Sequence, residues 1–400
     1  MRILFLTSRL PYPPYRGDRV RTWNFLRSLS TRHDVRLLSF TEGTADDDGI
    51  RELSKLADVE TVRLSPASSL ANMGFRLLSP LPYQVLYYRS AAMDRRVSGA
   101  LLREPFDVMV VHLFRMAPFA LAALRAAGAA RPRPATALDL TDAISAELEL
   151  SLPRRPLPLR PAYWWECRKI RRYEGLAASS FDEVWTISES DRKAILDAAA
   201  GANVAVVPNG VDESLFASAP GGTGSAALFV GNFDVPHNID AAQHLARDIM
   251  PLVRAAEPGA VLRLVGHGRL ERLRLGGQDG GVEVRGFVPR LSDAYAGAAV
   301  FAAPLRFAAG VQNKVIEAMA YGLPVVTTSI VNRGLGATDG EEIVVRDEPS
   351  EFAEAVVGIL RDRERARRLG EGGRAFVRGR FHWSAVVDRV EALAARRARG

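Results

Sequence analysis

The chain has 400 residues, 48% of them hydrophobic and 25% charged, with a formal net charge of +7. That length exceeds one typical core, so two domains of roughly 200 residues are expected, and the composition excludes disordered and fibrous classes. Cys167 is the lone cysteine, which excludes an internal disulfide or a cysteine metal cage and fits a reducing, cytoplasmic setting.

From the first residue, short apolar segments alternate with longer helical patterns. Strands are predicted at Ile3–Thr7, Val35–Phe40, Val59–Leu64, Val108–His112, Thr136–Leu140 and Glu183–Ile187. Helical stretches such as Arg19–Ser30, Ala117–Ala127 and Glu189–Ala199 lie between them. This alternation predicts an α/β, Rossmann-like half: a parallel sheet with helices on both faces. Ile3–Leu6 is too short for a signal-peptide core, and no apolar run reaches about 18 residues, so no membrane span is predicted. In the first loop three prolines stiffen the path to Gly17, and Asp18 is placed to cap the next helix. Arg16, Arg19 and Arg21 follow, either as a solvated first turn or as cations for an anionic acceptor. Asp46–Asp48 reads as an acidic helix start, so no metal site is expected.

Up to Ala200 the chain holds 29 Lys and Arg against 23 Asp and Glu, which places the basic excess in this half. Such a surface suits an anionic membrane or a phosphorylated acceptor, while no finger spacing or RNA-binding consensus supports nucleic acid. Leu152–Tyr173 concentrates seven Lys and Arg around Trp164, Trp165 and two tyrosines. Its prolines exclude helix before about Ala162, where an amphipathic helix is expected to begin. Either that segment meets the headgroup layer of an anionic membrane, making the protein peripheral on its inner face, or its tryptophans pack inward. Gly74–Tyr88 adds an aromatic, proline-rich loop that suits a lipid tail.

A second series follows a connection placed near Ala200–Val207, with a flexible loop at Ala219–Ser225. Strands are predicted at Ala227–Val230, Val261–Val265, Val282–Val284, Val300–Ala303, Val325–Thr328 and Ile343–Val345. Helices are predicted at Ile239–Ala256, Arg290–Ala296 and Val311–Tyr321. Three more close the chain, at Ser350–Leu360, Asp362–Gly379 and His382–Arg399. The expected domains are therefore 1–200, joined by a last helix at 381–398, and 201–380.

The richest segment is Gly310–Val326, GVQNKVIEAMAYGLPVV. Gly310 frees the backbone where unpaired N–H groups at a helix start, Val311, Gln312 and Asn313, attract phosphate. Lys314 and Glu317 are three apart and share a face, a cation for a diphosphate beside a carboxylate for a ribose. The plainer reading is an ordinary helix capped by Gly322 with a solvated ion pair.

This segment has company: VVPNGVD at 206–212, LFVGNF at 228–233, LRLVGHG at 262–268, VRGFV at 284–288 and VFAAPL at 300–305. In that order the set resembles the nucleotide-sugar half of retaining family 4 glycosyltransferases of the GT-B fold, and MRILFLT with the loop to Gly17 resembles the other half. The GVQNK-x-x-EAMA and VGNFD-x-x-x-N segments are similar to a sub-branch tied to exosortase and exopolysaccharide loci.

The resemblance implies two facing Rossmann-like domains, with a nucleotide-diphosphate sugar on the second and a lipid-linked or polysaccharide acceptor on the first. It implies Lys314 for the leaving diphosphate, Glu317 for ribose, Gly231, Asn232, His267 and Gly268 for the nucleotide pocket, and the Val288 backbone for the base. On the first domain it implies Gly17 near the donor and His112 near the reacting carbon, although His112 also reads as a satisfied strand-end histidine, while Arg19 stays a substrate-binding candidate as a cation for an anionic acceptor. The last helix is implied to return to the first domain, on a stripe of Trp383, Val386, Val387 and Val390.

No cofactor beyond the donor substrate is expected, and fixed charges rather than a metal are expected to stabilise the leaving group. The pattern departs from the family at Ala309, Asn232 and Asn238, where a glutamate, an arginine and a lysine are usual. A sugar-nucleotide epimerase or a degenerate GT-B scaffold are the alternatives, and an oxidoreductase is disfavoured because no complete G-x-G-x-x-G follows the first strand.

Overall fold

The structure is a computed structural model that describes residues 1–14, 17–41, 47–74, 79–128, 132–217, 224–273, 275, 281–307 and 311–399. Two compact units are present: Met1–Val207 with Trp383–Gly400, and Pro208–His382.

In the first unit seven parallel strands, β1 (Arg2–Thr7), β2 (Asp34–Thr41), β3 (Asp58–Arg63), β4 (Val108–His112), β5 (Ala135–Thr141), β6 (Glu183–Thr186) and β7 (Val204–Val206), lie in the order 3-2-1-4-5-6-7. Ile3 pairs with Val35 on one side and with Val108 on the other. Alternate side chains divide between two cores: Leu4, Leu6, Met109 and Val111 enter one, Ile3, Phe5, Val108 and Val110 the other. Burial on both faces is why these strands read as continuous apolar runs rather than as alternating ones.

The C-terminal helix Ala385–Arg399 covers the second of these cores with Val386, Val387, Val390 and Leu393. Trp383 meets Phe25 edge to face at 6.1 Å. Arg396 pairs with the buried carboxylate of Glu183.

The second unit holds six parallel strands, β8 (Ala226–Val230), β9 (Val261–Val265), β10 (Val282–Arg285), β11 (Val300–Ala303), β12 (Val325–Thr327) and β13 (Val344–Val345), in the order 10-9-8-11-12-13. In both units the order reverses direction beside the first strand, so the carboxyl ends of β1 and β4, and of β8 and β11, flank a topological switch point.

Several expectations are corrected. The segment assigned to the connection carries β7, which pairs with β6 from Val184–Val204 to Thr186–Val206, so the first unit runs to Val207 rather than stopping at 200. Only three residues long, β7 shows no alternation by which to be seen. The helix expected at Ile239–Ala256 is Pro236–His244, a wide π turn at Leu245–Ile249, then Met250–Ala256. Pro251 has no N–H to donate one turn back, and the widened turn accommodates its ring.

The first helix begins at Gly17, so Asp18 sits within its first turn, bonded to the Arg19 N–H and paired with Arg9, and is not a cap ahead of Arg19. The basic helix begins at Arg160 with Pro161 in its first turn, after two 3-10 turns. Part of the loop expected at Gly74–Tyr88 is the helix Tyr83–Tyr87, and residues 75–78 lie outside the described residues. Most of the loop at Ala219–Ser225 also lies outside them, as does Asp46. Among the described residues no helix is long and apolar enough to cross a membrane.

Candidate active site

In the second unit the predicted glycines bring two loops together backbone to backbone. Gly231 follows β8, and its N–H bonds to the Val265 carbonyl, while the Phe233 N–H bonds to the His267 carbonyl at 2.7 Å. Gly266 and Gly268 have φ of 150° and 109°, and a Cβ on Gly266 would stand 1.8 Å from the Gly231 carbonyl oxygen. Only glycine fits that approach. Asn232 closes its own turn, its Oδ1 accepting the Asp234 N–H, and its carbonyl accepts the Asn238 side-chain amide at 3.0 Å. The two departures from the family pattern thus hold the loop's shape. Asn238 is buried, and its Oδ1 has no partner among the described residues.

The helix bearing Lys314 and Glu317 is Asn313–Tyr321, two residues shorter at its start than expected. Gln312, extended at φ −87° and ψ 104°, is its N-cap residue but makes no side-chain cap bond. Its amide oxygen accepts from Lys314 Nζ at 2.9 Å instead. Val311 is buried just ahead, and Gly310, with Ala309, lies outside the described residues. Asn313 is tied to the VVPNGVD segment, its Oδ1 accepting the Asn209 amide at 3.0 Å.

Lys314 Nζ lies 5.9 Å from the centre of the Phe229 ring on β8. Burial lowers the ammonium to about 8, against the pull of Glu317. Burial likewise raises the Glu317 carboxyl, despite a 3.0 Å bond from the Tyr295 hydroxyl. The plain solvated ion pair is therefore not what forms, because each group has another partner and feels the cost of leaving water. Gly322 does cap the helix, left-handed at φ 89°.

His237, in the first turn of the helix Pro236–His244, also feels this cation. Burial and then the Lys314 charge push its imidazole down to about 3, so it is neutral at ordinary pH. Sequence reasoning missed both His237 and Tyr295. His267 meets Phe287 edge to face at 6.3 Å. Phe287 is exposed rather than core, and Val288 beside it is half-buried.

In the first unit His112 ends β4, and only 2% of it is exposed. Its Nδ1 lies 2.8 Å from Asp139 on β5, and Arg21 of the first helix grips the same carboxylate through Nε and Nη2 at 2.7 to 3.0 Å. Arg21 and Asp139 are both fully buried, and the guanidinium stacks on Phe25 at 4.3 Å. Burial opposes ionisation of Asp139, yet Arg21 and His112 hold its carboxyl well below the usual carboxylate range. With Nδ1 engaged, His112 Nε2 is buried and has no partner among the described residues.

The backbone is strained on both sides, at Leu113 with φ 69° and Thr141 with φ 66°. Arg21, expected as a solvated or acceptor-facing cation, is instead a core residue. Arg19 is half-buried, and its Nε has no partner among the described residues. Gly17 opens the helix, and Arg16 lies outside the described residues. Asp139 was missed, although a lone carboxylate inside the apolar run Ala135–Thr141 demands a buried cation and so signals one.

These two sets of strand-end residues sit on a chain with known relatives. The family model described as "Glycosyl transferase 4-like domain" matches residues 16–210, and "Glycosyl transferases group 1" matches residues 224–362. The chain belongs to the family 4 glycosyltransferases. Among the relatives of this glycosyltransferase is the phosphatidyl-myo-inositol mannosyltransferase of Mycolicibacterium smegmatis, 28% identical over 362 residues, covering 85% of this chain and 86% of that protein.

Solved structures agree on the GT-B fold. Anabaena HepE in complex with UDP and glucose superposes with a TM-score of 0.66 at 17% identity, over 99% of this chain and all of that one. Sucrose-phosphate synthase from Thermosynechococcus elongatus gives 0.67 at 17% identity, over 99% and 98% of the two chains.

Proposed function

We propose that this glycosyltransferase moves a sugar from a nucleotide-diphosphate donor to a hydroxyl of a lipid-linked or polysaccharide acceptor. Retention of configuration, independence from metal and a place in exopolysaccharide or cell-surface glycan synthesis belong to the same reading. The observation that carries it is Lys314, a half-buried cation in the first turn of a helix, 5.9 Å from the Phe229 ring of β8. In the reaction the anomeric C–O bond breaks, and its electron pair leaves with the diphosphate. The acceptor oxygen forms the new glycosidic bond, and its proton passes to the departing diphosphate oxygen and from there to solvent. Lys314 and the N–H groups at the helix start would neutralise the developing charge, where one such contact contributes about 3 kcal/mol.

Glu317, held by Tyr295, is proposed for the ribose, and the loops at 231–234 and 266–268 for the rest of the nucleotide. His112 is proposed to offer Nε2 to a sugar hydroxyl. Asp139 and Arg21 position its ring. The Mycolicibacterium relative is named for mannosyl transfer to phosphatidyl-myo-inositol, and HepE was solved with UDP and glucose; both support this class of donor and acceptor.

Thermal-shift screening of UDP- and GDP-sugars, then turnover of the donor that binds, tests the proposal. Lys314→Ala is expected to lose at least about a hundredfold in turnover while still folding. A near-normal rate would refute the leaving-group role. A second reading, a scaffold without turnover, is favoured by one observation, that Asn232 and Asn238 serve the loop where charged side chains are usual. Binding of no sugar nucleotide would decide for it.

A further inference from the structure

We propose that the exposed face of the helix Arg160–Ala178, with the turn that leads into it, docks on an anionic phospholipid bilayer. Six of the thirteen exposed large hydrophobic side chains among the described residues lie between 150 and 176. Leu157 is 71% exposed, Leu159 48%, Trp164 50% and Trp165 53%. Such crowding of bare apolar surface marks an interaction site rather than ordinary scatter. The tryptophans do not pack inward, which removes the plain reading of this segment.

The same face carries Arg168, Arg171 and Arg172, all exposed. Both acids of the helix are drawn off elsewhere. Glu166 pairs with the buried Lys169 at 2.6 Å and accepts the Tyr83 N–H, and Glu174 is buried against Ser145. What faces outward on this helix is therefore apolar and cationic without a compensating acid. Exposed Glu147 and Glu149 belong to the preceding helix, Ile144–Ser151.

The order of residues suits an interface. Leu157, Leu159 and the two indoles come first, and the arginines follow within about 12 Å along the axis. The Arg168 guanidinium lies 5.0 Å over the Trp164 ring, so cation and ring would enter the headgroup layer as a unit. Rings at that depth prefer the interface to water or hydrocarbon, and the guanidinium groups meet lipid phosphates in the plane above. A bilayer matches both parts of this face, since it offers apolar depth and negative charge together. This proposal stands on the surface alone and does not depend on sugar transfer.

The full chain would be co-sedimented with phosphatidylcholine vesicles, with and without phosphatidylglycerol, at low and high salt. Binding is expected only with the anionic lipid, and weaker at high salt. Replacing Arg168, Arg171 and Arg172 together by Gln should lower the partition coefficient at least about tenfold. Trp164→Ser with Trp165→Ser should lower it at both salts and abolish a blue shift of the tryptophan emission. Because all five side chains are exposed, these variants are expected to fold, which their melting curves would show. Equal binding to neutral and anionic vesicles, or binding unchanged in the variants, would overturn the proposal. So would a concentration-dependent dimer, lost in the double Trp variant, without vesicle binding; the face would then belong to a second copy of the chain.

Discussion

At the residue scale the decisive fact is that Lys314 is half-buried, with the Gln312 amide oxygen rather than a carboxylate as its hydrogen-bond partner among the described residues. Burial lowers its ammonium to about 8, so the free protein loses this cation within reach of ordinary assay pH. The protonated form is the one that attracts a diphosphate. If Lys314 serves the leaving group, kcat/KM for the donor is expected to be level below pH 8 and to fall about tenfold per pH unit above it. Lys314→Arg should move that limb upward, because a guanidinium keeps its proton throughout this range. A pH profile of the two proteins checks this, and an unmoved limb in Lys314→Arg would assign the titration to another group. His237 cannot replace the lost charge, since burial, the larger cause of its lowered pKa, still disfavours the imidazolium once Lys314 is neutral.

At the element scale the helix Ile144–Ser151 is held at its start by carboxylates from two other helices. The Ala143 N–H bonds to Asp191 at 3.0 Å, and the Ser145 hydroxyl donates to Glu174 at 2.5 Å. Burial pushes the Glu174 carboxyl up to about 7, and burial with Asp191 and Glu147 pushes Asp142 up to about 8. The folded chain thus binds protons that the unfolded chain has already released. Stability from this source is full below the ordinary carboxylate range and is lost as pH rises through about 7 to 8. Glu174→Gln should flatten the fall, stabilising the first unit by about 1 to 3 kcal/mol above that range. Calorimetric melts of both proteins in acidic and alkaline buffer would show it, and parallel slopes would refute it.

At the scale of the whole molecule, the chain completes its first unit with its last helix. Val386, Val387, Val390 and Leu393 are nearly or wholly buried beneath the strands of the first sheet. Each such side chain contributes roughly 1.5 to 3 kcal/mol, so together they rival the 5 to 15 kcal/mol that typically separates folded from unfolded. A chain ended after His382 is expected to lose the cooperative unfolding of Met1–Val207 while the transition of Pro208–His382 persists. Scanning calorimetry resolves the two, and survival of both transitions would show that the last helix is dispensable.

Much of this architecture was legible beforehand. Apolar strands buried on both faces announce themselves by composition, which is why Ile3–Thr7 and Val300–Ala303 were placed within a residue or two. The motifs also carried local backbone demands: the close approach of Gly231 to Gly266 and the shared helix of Lys314 and Glu317 are patterns written in residue type and spacing. β7 is too short to carry a period, and the π turn at Leu245–Ile249 interrupts an otherwise continuous helical pattern. Partners distant in sequence were out of reach. Arg21 and Asp139 are 118 residues apart, and only folding reveals that they clamp His112 rather than meet solvent. Residue type and local spacing thus determined the fold class and the loops, because backbone conformation and apolar periodicity are local properties. The pairing of charges, their burial and the outward turn of Trp164 and Trp165 were decided by the tertiary structure, because desolvation depends on what the rest of the chain packs around each group.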